Sequence, residues 1–131
     1  MSQEQYSYGV GRRKATTARA KIYDSGEVSI VVNGVALDKY FPAYYQATIT
    51  DMLQKVEANN VRIELFVRGG GVTGQSEAAR LAIANALLKK DEATYRPSIR
   101  QYGYNTTDIR KVLSKQAGRP KARKSRQWVK R

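Results

Sequence analysis

The chain has 131 residues, and its 24 lysine and arginine residues against 11 aspartate and glutamate residues give a formal net charge of +13. That length is typical of one domain, and the absence of cysteine and histidine excludes disulfide scaffolds, thiolate or imidazole metal sites and Cys- or His-based catalysis. The longest uncharged run, Tyr40–Thr50, has eleven residues, too few to cross a bilayer. The first five residues fit neither a secretory signal nor a transit peptide, so we expect a soluble, intracellular protein.

Alternating side chains near the N-terminus predict three strands. Over residues 6–11, Tyr or Val alternates with Ser or Gly, and over residues 18–23 Ala or Ile alternates with cationic or aromatic residues. This period of two is typical of strands. A turn is predicted at residues 24–26, so we expect residues 28–32 to return as the hairpin partner of the second strand.

A helix and a further strand follow. Asn33-Gly34 ends the third strand, and Pro42 suits the first turn of a helix. Apolar residues recur at helical spacing from residue 45 to residue 56, which predicts an amphipathic helix. The alternation over residues 61–67 is the clearest strand pattern in the chain.

The remaining predicted elements are a glycine-rich turn over residues 69–74, an Ala/Leu-rich helix over residues 75–90 and a short helix that Asp91 caps and that ends before Gly103. The order is β-β-β-α-β-α followed by a short helix. It predicts an α+β fold in which helices cover one face of a mostly antiparallel sheet.

The glycine-rich turn allows three interpretations. Gly69, Gly71 and Gly74 have the spacing of the dinucleotide-binding fingerprint, and residues 69–76 are one residue away from a triphosphate-binding loop. Gln75 stands where that loop needs a lysine, and the chain is too short for the dinucleotide fold after this point. The second interpretation is a tight turn close to another backbone, with a positive φ at Gly71. The third is that the turn and the following helix N-terminus present backbone N–H groups to an RNA phosphate.

Basic residues also cluster near the N-terminus. Arg12-Arg13-Lys14 precedes a strand that presents Arg19 and Lys21 outward, and these side chains form one basic patch if the two strands lie side by side. The alternative is a solvated surface without a partner. No pair of acids has a spacing that indicates general acid–base catalysis, so we expect no enzyme and no cofactor.

The positive charge is concentrated after the core. Residues 106–131 contain ten basic residues and one acid, Asp108, a net charge of +9, whereas residues 1–105 carry +4. Apolar residues in the second segment are too isolated to offset the entropy of ordering it. We therefore predict a globular core over residues 1–105 and an extended basic RNA-binding arm over residues 106–131.

Several motifs, taken together in their order, resemble one family, the bacterial-type small-subunit ribosomal protein number nine. YGVGRRKA at residues 8–15 resembles its opening segment, and GGGVTGQ at residues 69–75 resembles its glycine turn. DIR at residues 108–110, KARK at residues 121–124 and the final Lys130-Arg131 resemble its tail. The resemblance extends over nearly the whole chain.

The resemblance implies a fold and a location. The fold is a two-layer α/β domain with a left-handed crossover, like the second domain of small-subunit ribosomal protein number five, with a long extended basic C-terminal arm. The location is the ribosome in the cytoplasm, with an organelle ribosome less favoured. Implied partners are small-subunit ribosomal RNA, the peptidyl-site transfer RNA and neighbouring head proteins, with no membrane and no small-molecule substrate.

The resemblance also implies two sets of binding residues. The arm tip would reach the anticodon stem-loop of the peptidyl-site transfer RNA, where Trp128 replaces the usual Phe. The expected transfer-RNA contacts are Trp128, Lys130 and Arg131. The expected contacts to the 3′ major domain of ribosomal RNA in the head are Arg12, Arg13, Lys14, Arg19, Lys21, Gly69, Gly70, Gly71, Thr73, Gly74, Gln75, Arg110, Lys111, Lys115, Arg119, Lys121, Arg123, Lys124 and Arg126.

The sequence therefore predicts a structural RNA-binding component of the small ribosomal subunit. The main alternative is a generic basic nucleic-acid binder of chromatin or messenger RNA, in which the arm acts only through its charge. A nucleotide-hydrolysing enzyme is the third possibility.

Overall fold

A computed structural model describes residues 5–24, 27–58 and 61–104, together with positions 106, 114, 117, 118 and 123. This part of the chain contains five strands and four helices. They are β1 (Ser7–Arg13), β2 (Thr16–Asp24), β3 (Ser29–Val32), β4 (Val35–Ala36), α1 (Leu37–Tyr40), α2 (Ala43–Lys55), β5 (Val61–Arg68), α3 (Val72–Lys90) and α4 (Glu92–Tyr102). None of these helices combines the length and the apolar character that a membrane span requires.

The strands form one mixed sheet in the order β1-β2-β5-β3-β4. β2 pairs antiparallel with both β1 and β5, while β3 pairs in parallel with β5. The predicted hairpin of β2 and β3 is therefore wrong. An alternating pattern defines the faces of a strand but not its neighbours, and β5, whose four inward residues are all buried, occupies the free edge of β2.

A hairpin does exist one strand later. Asn33 and Gly34 both have positive φ, 51° and 81°, as a two-residue turn between right-twisted strands requires. The turn joins β3 to β4, which the sequence did not predict. The Asn33 side chain also bonds both backbone groups of Val67, with Nδ2 donating to the carbonyl and Oδ1 accepting from the amide, each at 2.9 Å.

Three of the four described helices, α2, α3 and α4, agree closely with the predicted ones, and α1 was not predicted. α2 begins directly after Pro42 and ends at Lys55. α3 begins at Val72, three residues before the predicted start, so Gly74 lies in its first turn. Asp91 caps the N-terminus of α4, and its Oδ1 accepts from the Thr94 backbone amide at 3.3 Å. Gly103, which follows the last residue of α4, is left-handed with φ 71°.

Helices pack on one face of the sheet. The glycines of β1 determine how closely α3 approaches that strand. Gly9 and Gly11 are buried beneath α3, and a Cβ atom at Gly9 would overlap the backbone of Ala82 and Ala86. The small glycine side of β1, and not its tyrosine and valine side, therefore faces the core. The remaining core residues are apolar side chains of β2, β5, α2 and α3, together with Ile99 of α4. The predicted α+β class is thus confirmed.

Candidate nucleic-acid interface

The glycine turn packs against the turn that joins β1 to β2. Gly69 and Gly70 have positive φ, 79° and 66°, and a Cβ atom at Gly70 would overlap the Thr16 hydroxyl. Thr16 is buried, and its Oγ1 donates to the Gly69 carbonyl at 3.1 Å. The interpretation of a tight turn close to another backbone therefore holds for these two glycines.

Gly71 differs from the sequence-based expectation. Its φ is −102°, and a Cβ atom there would meet nothing within 4 Å. The expected positive φ at Gly71 is wrong, because the left-handed backbone occurs at the two preceding residues. Gly71 instead stands immediately before the first residue of α3.

Gln75 is held by hydrogen bonds within the protein. Its Nε2 donates to the Gly69 carbonyl at 3.2 Å, and its Oε1 accepts from the Tyr40 hydroxyl at 3.1 Å. That hydroxyl in turn accepts from Asn33 Nδ2 at 3.3 Å. The residue that replaces the phosphate-binding lysine thus secures the turn, which disfavours a nucleoside triphosphate site. Sequence reasoning had no signal for Asn33 and Tyr40 as supports of the turn, since they lie far from it in the chain.

The first turn of α3 is open at its N-terminus. No described side chain caps it, and the first backbone N–H groups of a helix have no acceptor within the helix. Val72 and Thr73 are exposed, and Thr73 Oγ1 donates to the Tyr45 hydroxyl at 2.9 Å. The geometry leaves room for an external acceptor such as a phosphate oxygen.

The predicted basic patch divides between two faces. Arg12 lies beside Thr17 in the β1–β2 register, so it shares the face away from the helices with Arg19 and Lys21. Arg13 lies on the opposite face, where its Nε donates to Glu77 Oε2 at 2.5 Å. Lys14 is exposed in the turn, with φ 54°. The structure therefore brings together Arg12, Arg19 and Lys21, with Lys14 at the end of the strands.

β5 adds residues to this face that were not among the predicted contacts. Arg68 lies opposite Thr17, and Phe66 lies opposite Arg19. The Arg62 guanidinium carbon lies 4.4 Å from the ring centre of Tyr23. The alternation of β5 already placed Arg62 and Arg68 away from the core, but their place beside Arg19 depends on the strand order, which the sequence did not predict.

The predicted arm contacts, apart from Arg123, belong to residues that the structure does not describe. Arg123 is described only as an isolated position. The remaining predicted arm residues lie outside the described part of the chain: Arg110, Lys111, Lys115, Arg119, Lys121, Lys124, Arg126, Trp128, Lys130 and Arg131. Among the described residues, no group of acidic side chains is arranged to hold a metal ion.

Comparisons with known proteins find relatives over nearly the whole chain. Residues 11–131 match the family described as ribosomal protein S9/S16. The chain is 44% identical over 128 residues to the small ribosomal subunit protein uS9 of Porphyromonas gingivalis, covering 96% of this chain and 98% of that protein. It is 43% identical over 124 residues to the protein of the same name from Amoebophilus asiaticus, covering 93% and 95%. This is a family of ribosomal structural proteins and not of enzymes, and the chain belongs to the ribosomal protein S9 family, in its bacterial type.

Proposed function

We propose that this chain is a structural constituent of the small ribosomal subunit that binds ribosomal RNA of the head, in its 3′ major domain, among neighbouring head proteins. The observation that carries the proposal is the packing of the glycine turn on the β1–β2 turn. It brings the backbone of Arg13 and Ala15, the two neighbours of exposed Lys14, against Gly74 and Gly69. The N-terminus of α3 in the same segment has no side-chain cap. A lysine and a helix N-terminus together favour a phosphate group.

In this proposal the two parts of the chain have different tasks. The core, residues 1–105, sets the register on the RNA through backbone and cationic contacts to phosphates. The arm, residues 106–131, extends along RNA, and its last residues reach the peptidyl-site transfer RNA. Trp128 would stack there, while Lys130 and Arg131 would bind phosphates. The family resemblance supports this arm and also a left-handed connection from β3 to β5. The protein would work in the cytoplasm, within the ribosome.

The test compares RNA affinities of the purified full-length chain at matched salt. We expect the isolated 3′ major domain RNA to bind more tightly than an unrelated RNA of equal length. Lys14→Gln should weaken binding to both and reduce the salt dependence by about one phosphate contact. Lys39→Gln, which removes an exposed cation from α1, is the matched control and should change neither quantity.

The outcomes separate the competing functions. Equal affinity for the two RNAs would favour the generic nucleic-acid binder and contradict the ribosomal proposal. Turnover of a nucleoside triphosphate by the pure protein would favour the third possibility. Co-sedimentation with small subunits at high salt is the corresponding test in extracts.

A further inference from the structure

The face of the sheet that the helices leave uncovered carries cations around an exposed aromatic ring. We call it the open sheet face, formed by the outward side chains of β1, β2 and β5. Its cations are Arg12, Arg19, Lys21, Arg62 and Arg68, and its acid is Glu64, opposite Lys21. The face is therefore strongly positive on the folded core itself, separately from the arm.

Phe66 lies on this face between Glu64 and Arg68 of β5. It is 37% exposed, and it stands opposite Arg19 in the register of β2 and β5. Arg19 Cζ lies 5.6 Å and Lys21 Nζ 5.7 Å from the centre of the ring. A shallow cleft of about 610 Å³ is lined by Thr17, Arg19, Phe66 and Arg68, with contributions from Asn33 and Val67. The ring of Phe66 is therefore accessible to a planar group of a binding partner.

We infer that the open sheet face binds single-stranded RNA, with an unpaired base stacked on Phe66 and the flanking phosphates bound by Arg19 and Arg68. Unpaired bases stack on aromatic side chains, whereas the bases of a duplex already stack on one another. Guanidinium groups bind phosphate oxygens through two parallel hydrogen bonds. Phe66 and Arg68 project from the same face of β5 about 7 Å apart along the strand, so a base and its neighbouring phosphate can be bound together.

The chemistry of the face favours RNA over an acidic protein segment. Carboxylates would satisfy the cations, but a carboxylate gains nothing from the face of an aromatic ring, whose quadrupole is negative. A nucleotide offers a negative phosphate and a planar base together. This inference rests on the proposed function and extends that function to a second surface. Arg68 immediately precedes the glycine turn, so the open sheet face is continuous with the phosphate site proposed at that turn.

The test uses the full-length chain and a single-stranded RNA oligonucleotide that contains 2-aminopurine, whose fluorescence is quenched by stacking. Phe66→Leu keeps an apolar side chain but removes the ring, and we expect it to abolish the quenching and weaken binding about five- to thirty-fold. Phe66→Tyr keeps the ring and should bind as the unchanged protein does. Tyr44→Leu, at a ring that is 79% exposed on α2, is the matched control and should have no effect.

Further variants separate stacking from charge. The salt dependence of binding should be the same for Phe66→Leu as for the unchanged chain, and weaker for Arg19→Gln and Arg68→Gln. If Phe66→Leu retains full affinity and quenching while the arginine variants lose affinity, the face acts by charge alone and base stacking is refuted. If none of the three variants changes binding, the whole inference is refuted.

A cross-linking experiment in assembled subunits distinguishes RNA from protein. A photoreactive phenylalanine analogue at position 66 should cross-link to RNA, and a cross-link to a neighbouring protein instead would overturn the inference. The preference for the 3′ major domain RNA is measured separately on the unchanged chain. If the inference about the open sheet face is wrong but the proposed function is right, the unchanged chain still binds the 3′ major domain RNA more tightly than an unrelated RNA. If the proposed function itself is wrong, the two RNAs bind equally.

Discussion

At the scale of single residues, the close approach of α3 to β1 depends on glycine. Gly9→Ala places a methyl group against the backbone of Ala82 and Ala86, which cannot move aside as a flexible side chain would. We predict a loss of about 1–3 kcal/mol in the free energy of unfolding, measured by urea denaturation. Gly71→Ala is the control, because its added Cβ atom meets no neighbour and its φ of −102° suits alanine. Equal stability of the two variants would contradict this account of the β1–α3 contact.

The glycines of β1 also show what a sequence indicates about single residues and what it does not. The alternation of β1 indicated a strand, but it gave no reason to place the glycine side inward, since apolar side chains ordinarily face the core. Only the alanines along α3 explain the choice, because two small surfaces allow a helix and a strand to approach closely. Likewise, the glycine turn was recognised from its sequence, whereas the close packing of Gly69 on Ala15 and of Gly70 on Thr16 is visible only in the structure.

At the scale of elements, local signals predicted helix ends better than strand partners. Asp91 was expected to cap α4 and does so, because capping depends on residues within one turn. The partner of β3 depends on a segment about thirty residues away, and no local pattern encodes that pairing. For this reason the glycine turn and the basic cluster of β1 and β2 were recognised, since both are local patterns. The position of Arg62 and Arg68 beside that cluster was missed, because it depends on sheet order.

The α4 cap also gives a prediction for pH. Hydrogen bonds from the Thr94 side chain and backbone hold the pKa of Asp91 below its usual 3.8. A lowered pKa in the folded state adds stability above the unfolded value and loses it as the pH falls through the folded value. Asp91→Ala should therefore lower the melting temperature at pH 7, and the difference should shrink below pH 3.8. Amide hydrogen exchange at Thr94 and Tyr95 should accelerate in the same variant. A melting-temperature difference that is independent of pH would show that the Asp91 charge is not involved.

At the scale of the whole molecule, most of the net charge lies outside the core that the structure describes. This core contains a continuous cluster of buried apolar side chains, whereas residues 106–131 hold +9 of the net charge of +13. Deleting Thr106–Arg131 should therefore leave a core that unfolds cooperatively but binds RNA far more weakly, and that fails to enter small subunits efficiently. Loss of the cooperative transition would show that the arm belongs to the fold.

A shorter deletion, at the end of the predicted arm, separates transfer-RNA binding from subunit assembly. Lys130 and Arg131 are cations, which protein cores almost never bury unpaired, so we expect their contribution to come from a partner outside the core. Exposed ion pairs in cellular salt contribute at most on the order of 1 kcal/mol each, and about 1.4 kcal/mol is a tenfold change in affinity. Deleting Val129–Arg131 should therefore leave subunit assembly intact and weaken peptidyl-site transfer-RNA binding about five- to thirty-fold. The measurement is transfer-RNA affinity on purified subunits that carry the truncated chain. Unchanged affinity in normally assembled subunits would show that the tip has no role at the decoding site, while the assembly role of the remaining arm would stand.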